Sequence, residues 1–287
     1  MAKYRKILVA YDGSVSAKSA LSLASQLARE DKSWIKVLAV VPSYQGDLDL
    51  IGVSNIKETI TGPGEKLLAE ARQLAGTEGV HILTNLEQGE PYEQIVHVAD
   101  EESCDLIVMG RRGKGHVERE LMGSVTERVI GHTRKDVLVV PEEGKISWRN
   151  LLLATDGSQY CDTALERALE IAQERGSRLS AVSVVYTNDE FYALAPETIK
   201  ELYQGAEKVL EKVQRWAGDL GIATELFVRD GEPHQAITSL AREIAADLII
   251  MGSHGRKGLT RLLMGSVTER VIGYTTCPVL VCHLQNP

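Results

Sequence analysis

A chain of 287 residues in which 44% are hydrophobic is long for one compact domain and comfortable for two of about 140 residues each. Its net charge of -8 supplies no general basic field, which argues against nucleic acid as a partner. No apolar run approaches the ~20 residues that span a bilayer, and Met1-Ala-Lys-Tyr-Arg-Lys6 leads into a strand-like segment without a signal-type apolar region, so a cytoplasmic protein is expected.

Residues 7–10 are a short, fully apolar run, the pattern of a strand covered on both faces. Asp12-Gly13-Ser14 follows, and Ala17, Ala20, Leu21, Ala24, Leu27 and Ala28 then recur at helical spacing. A second strand over residues 34–41 precedes a polar excursion through Asn55. The second helix is expected over residues 56–74, with Gly62-Pro63-Gly64 breaking or kinking it. A third strand (80–86) leads to Gly89-Glu90-Pro91, where proline suits the first turn of a third helix. Then come a fourth strand (105–109), a glycine-rich loop, a short helix (124–131) and a fifth strand (137–140).

The same plan then repeats. Lys6-Ile-Leu-Val-Ala-Tyr-Asp-Gly-Ser14 matches Asn150-Leu-Leu-Leu-Ala-Thr-Asp-Gly-Ser158, and Glu87-Gln-Gly-Glu-Pro91 answers Arg229-Asp-Gly-Glu-Pro233. Leu38-Ala-Val-Val-Pro42 lies where Val182-Ser-Val-Val-Tyr186 lies. The helix over residues 196–216 answers the second helix without its glycine-proline break. This is a tandem duplication. It predicts domains over residues 1–143 and 149–287, joined by a linker at 144–148. Strands alternating with helices imply an α/β fold, with parallel five-stranded sheets wound on both faces. Ligands of such sheets sit beyond the carboxyl ends of the strands, where the strand order reverses.

Both halves carry a loop of the form Gly, two residues, Gly, nine residues, Gly-Ser: Gly110, Gly113, Gly123 and Ser124, then Gly252, Gly255, Gly265 and Ser266. Glycines permit positive φ and close ligand approach, and a helix that opens at Gly-Ser favours an anion through its free amides and dipole. Arg111, Arg112 and Lys114 in one loop, and Arg256, Lys257 and Arg261 in the other, add positive charge. The spacing is not that of a P-loop, and the glycines follow the fourth strand, which excludes the dinucleotide fingerprint. Each residue also has a plainer reading. Ser124 and Ser266 are good N-caps, Asp12 and Asp156 suit Asx turns, and Val41 and Val185 suit a strand-end core. His116 and His254 are expected to face solvent. Cys104, Cys161, Cys277 and Cys282 have no paired spacing and read as reduced thiols, and the adjacent Cys282-His283 makes no metal site.

Taken together, the Asp-Gly-Ser turn, the glycine loop and the final Val-Leu-Val strand resemble the universal stress protein family, twice over nearly the whole chain. The resemblance implies a Rossmann-like sheet of strand order 3-2-1-4-5, with fifth strands pairing antiparallel so that one chain forms a pseudo-dimer, and further homodimerisation open. It implies an adenine nucleotide (ATP, or AMP or ADP) on the glycine loop, with magnesium near Asp12 or Asp156. Val41 and Val185 would meet the adenine through their backbone. Gly110, Gly113, Gly123 and Ser124 would cradle one set of phosphates, and Gly252, Gly255, Gly265 and Ser266 the other. Glu118 and Glu120 in the first loop rank the second site above it. With no general base evident beside the loop, a stress-response or signalling module is favoured over a slow ATPase or a scaffold with empty sites.

Overall fold

The computed structural model describes residues 4–43, 56–114, 122–187, 196–255 and 264–284. Its contacts divide the chain into two compact units, with the boundary between Gly144 and Lys145.

The first unit runs β1 (Lys6–Ala10), α1 (Val15–Asp31), β2 (Trp34–Val41), α2 (Ile56–Thr77), β3 (Leu83–Gln88), α3 (Pro91–Glu101), β4 (Leu106–Gly110), α4 (Ser124–His132) and β5 (Asp136–Val140). Its strands are parallel in the order β3-β2-β1-β4-β5. The second unit runs β6 (Asn150–Ala154), α5 (Gln159–Arg175), β7 (Arg178–Val185), α6 (Pro196–Asp219), β8 (Thr224–Asp230), α7 (Pro233–Glu243), β9 (Leu248–Gly252), α8 (Ser266–Tyr274) and β10 (Val279–Cys282). Its parallel order, β8-β7-β6-β9-β10, is the same arrangement, as the α/β reading requires. In each unit the order turns back beside the first strand, which pairs with the second on one side and the fourth on the other. A crevice at the carboxyl ends follows from that topology.

The central strands are apolar without alternation because helices cover both faces. Leu8, Val9, Ile107 and Val108 are fully buried, as are Leu152, Leu153, Ile249 and Ile250. Small side chains on the first helix, Ala17, Ala20 and Ala24, bring it close to that sheet. Burying each large aliphatic side chain contributes about 1.5–3 kcal/mol, so these strands are the main stabilising layer. All four cysteines are free, and only Cys277 is partly exposed.

Two expectations change. Helix α2 is continuous from Ile56 to Thr77, with Pro63 inside it. Gly64 shows why the helix is kept there: a Cβ at this residue would meet Leu86 Cδ1 at 2.4 Å and Val41 Cγ1 at 2.9 Å. The helix backbone rests on the ends of β2 and β3, and the buried Leu68, Ala71 and Ala75 further along offset the missing proline amide. The third strand begins at Leu83, not at Val80. Val80 N donates to Ala75 O at 2.9 Å and so closes the end of α2, while ladder pairing starts only at Lys36 with Leu83.

Candidate functional site

The turn after the first strand of each unit is built by its aspartate. Gly13 and Gly157 have φ of 75° and 76°, a conformation open to glycine and costly for other residues. Ser14 N donates to Asp12 Oδ1 at 3.0 Å, and Ser158 N to Asp156 Oδ1 at 2.9 Å, so both aspartates do form Asx turns. They also reach the glycine loop. Lys114 N donates to Asp12 Oδ2 at 2.7 Å. A Cβ on Gly113 would lie 2.6 Å from Asp12 Oδ2, and one on Gly255 would lie 2.7 Å from Asp156 Oδ2. These two glycines are there so that the loop backbone can close on the carboxylate.

The remaining loop glycines divide by role. None of Gly110, Gly113, Gly123, Gly252, Gly255 and Gly265 is among the positive-φ glycines, so close approach, not a left-handed turn, explains them. At Gly110 a Cβ would meet Ser16 Oγ at 2.5 Å and the Ser16 carbonyl carbon at 2.7 Å. At Gly252 it would meet Tyr160 O at 2.9 Å. Both therefore admit the start of the first helix of their unit onto the end of the fourth strand. Gly123 and Gly265 have only looser neighbours, the nearest at 3.5 Å and 3.3 Å, and their amides donate to Arg111 O and Ser253 O at 2.9 Å.

Those last two glycines, not the serines, occupy the N-cap positions of α4 and α8. Ser124 and Ser266 are the first helical residues and are exposed. No side chain caps either helix. Glycine wins the cap position because the chain arrives with its own amide bonded back to the loop. The start of each helix is also held by a threonine: Thr126 Oγ1 donates to Gly110 O, and Thr268 Oγ1 to Gly252 O, both at 3.0 Å. Sequence reasoning passed over these threonines, although Ser-Val-Thr-Glu stands unchanged in both halves.

Val41 and Val185 end their strands with buried side chains. Their carbonyls accept from Gly89 N at 3.0 Å and Gly231 N at 3.1 Å, which fixes the strand end while leaving one lone pair on each oxygen. In both units the carboxyl ends of the strands therefore gather the aspartate, the strand-end valine, the glycine loop and an uncapped helix start.

The two loops are held differently. In the first, Ser14 Oγ donates to Arg112 O at 3.1 Å and Ser16 Oγ donates to the same oxygen. Burial and the neighbouring Arg112 guanidinium pull Arg111 below the usual arginine range. In the second, Tyr160 replaces Ser16, and its ring lies 5.1 Å from that of His254. His254 is buried, contrary to the solvent-facing expectation, because Tyr160 and Ser253 enclose it. Ser253 Oγ lies 3.1 Å from its Nδ1. Cys161 Sγ donates to Asp156 Oδ1 at 3.2 Å, and burial together with that carboxylate raises the thiol above its usual value. His116, Glu118, Glu120, Arg256, Lys257 and Arg261 lie outside the described residues.

A family model described as the universal stress protein family matches residues 3–141 and again residues 147–283. The chain belongs to the universal stress protein family. A universal stress protein of Methanocaldococcus jannaschii is 35% identical over 143 residues, covering 48% of this chain and 84% of that protein. One from Mycolicibacterium smegmatis is 25% identical over 96% of both chains, so the tandem form is shared. The crystal structure of a universal stress protein from Archaeoglobus fulgidus superposes with a TM-score of 0.74 at 25% identity, covering 98% of this chain and 97% of that one. Within this family the duplicated sites are the functional candidates. Among the described residues no helix is long and apolar enough to cross a membrane, and no cluster of three potential metal ligands forms.

Proposed function

We propose that each repeat binds an adenine nucleotide, ATP foremost, and that occupancy changes conformation or partner binding in a stress-response or signalling role. One observation carries this reading: α4 and α8 begin without a side-chain cap, at a loop hydrogen-bonded to Asp12 in the first repeat and closed against Asp156 at Gly255 in the second. A helix start left uncapped offers amides and a positive dipole end to an anion. A phosphate chain laid there would have the loop backbone beside it, and Val41 or Val185 would present the base with backbone groups at the strand end.

Magnesium fits this site as a companion of the phosphates. Asp12 gives one acceptor position per oxygen to an amide and keeps others, enough for a single carboxylate ligand or a water-mediated one. The metal would neutralise phosphate charge. Binding with little turnover is the expected behaviour.

The test is to extract and count nucleotide from the purified protein, then follow phosphate release. One ATP per loop with negligible release supports the reading. Rapid turnover replaces it with an ATPase, and failure to bind on titration replaces it with a scaffold.

A further inference from the structure

The ends of the second strands differ between the repeats in a way that the glycine loops do not explain. In the first repeat Val41 is followed by Pro42, and the face of Gly89 is filled, because a Cβ there would meet Gln94 Nε2 at 3.0 Å. In the second repeat Val185 is followed by Tyr186, which is 58% exposed. Gly231, the counterpart of Gly89, has φ of 96° and no described atom within 4 Å of where a Cβ would lie. Ala236 stands where the first repeat has Gln94, so the blocking amide is gone. The ledge itself is fixed, since Gly231 N holds Val185 O at 3.1 Å. A large, exposed aromatic ring thus stands at a fixed strand end whose neighbouring Gly231 has no described atom against its open face.

Tyrosine presents a broad apolar face with few rotatable bonds, and leaving it hydrated forgoes the burial that such a ring normally supplies. A flat heteroaromatic base entering the open side would recover that burial by stacking, which is tolerant of base edges but not of base absence. We propose that Tyr186 stacks on the nucleobase at the second site and makes that site, unlike the first, dependent on a planar base for affinity. This rests on the nucleotide-binding reading above. Proline at position 42 offers no such face, so phosphate and ribose contacts dominate in the first repeat.

The experiment uses the full chain carrying Gly123→Val, which silences the first loop, and titrates it calorimetrically with ATP and with inorganic tripolyphosphate. Adding Tyr186→Ala should weaken ATP roughly 5- to 150-fold, the range that follows from about 1–3 kcal/mol for one base-stacking ring, and leave tripolyphosphate unchanged. Tyr186→Phe should keep ATP affinity within about twofold, since the ring face is retained. Unchanged ATP affinity in Tyr186→Ala, or equal losses for both ligands, overturns the inference while leaving nucleotide binding standing. Absence of ATP binding in the Gly123→Val parent overturns the nucleotide reading itself, and this inference with it.

Discussion

The two repeats make the same helix-to-helix contacts with the partners exchanged. Lys18 on α1 meets Glu70 on α2 at 2.7 Å in the first, while Asp162 on α5 meets Lys212 on α6 at 2.6 Å in the second. Tyr92 and His132 bring α3 and α4 together with ring centroids 5.0 Å apart; His234 and Tyr274 do so for α7 and α8 at 5.4 Å. In both cases a residue type has moved to the opposite helix. Contacts beside the glycine loop show no such exchange. Thr126 and Thr268 donate the same way, and so do Ser14 N and Ser158 N to their aspartates. A packing or charge pair is symmetric under exchange, since it needs only complementary partners. A hydrogen bond from a backbone amide to a carboxylate is directional, and the fixed backbone end settles which residue must supply the acceptor.

That contrast can be broken at the loops first. Gly265→Val should remove ATP from the second repeat while leaving the first occupied, seen as loss of half the bound nucleotide. Its nearest neighbours, at 3.3 Å and 3.4 Å, require only a small adjustment, so the melting temperature should change little. Gly110→Ala should do the opposite. With Ser16 backbone carbon at 2.7 Å and Ala17 N at 2.8 Å from the added methyl, it should cost about 1–3 kcal/mol in urea unfolding. Full stability in that variant would show that α1 is not seated on β4 as described.

The exchanged pairs should give smaller effects. Lys18→Glu is expected to cost up to about 1 kcal/mol, because both partners are roughly two-fifths exposed and screened, and Lys18→Glu with Glu70→Lys should recover most of it. Failure of the double variant to recover would mean that the pair is not interchangeable in place. The smallest effect is one of pH. The Lys18 ammonium, through its hydrogen bond, holds Glu70 below the usual glutamate value. A lowered folded pKa contributes stability that is fully present above the unfolded glutamate pKa and is lost as pH falls through the folded one. The stability gap between the native chain and Glu70→Gln should therefore close on acidification from neutral pH, whereas a constant gap would assign it to packing.

Much of the fold was legible because duplication doubled each signal. An apolar strand such as residues 7–10 could be mistaken for part of a helix, but residues 151–154 in the same context remove that ambiguity. The site was legible as a set of residues and less so as a set of roles. Gly110 and Gly113 look alike in sequence, yet one admits a helix and the other a carboxylate. That distinction depends on which segment crosses the loop, a tertiary fact. The continuity of α2 through Pro63 was hidden for a similar reason: the local rule weighs a lost amide bond, and the packing at Gly64 lies in two other strands. Burial of His254 depended on Tyr160, far away in sequence.

The Asp12 carboxylate ties the amide of Ser14 to that of Lys114, two points a hundred residues apart along the chain. Neither amide can exchange its hydrogen with solvent until that side chain lets go. Opening of the first turn and release of the loop should thus register as one event, with the two amides showing the same protection relative to their intrinsic exchange rates and gaining protection together when ATP is added. Unequal protection would show that the loop breathes without the turn. Equal protection would make Ser14 an amide reporter for a ligand held several elements later in the sequence.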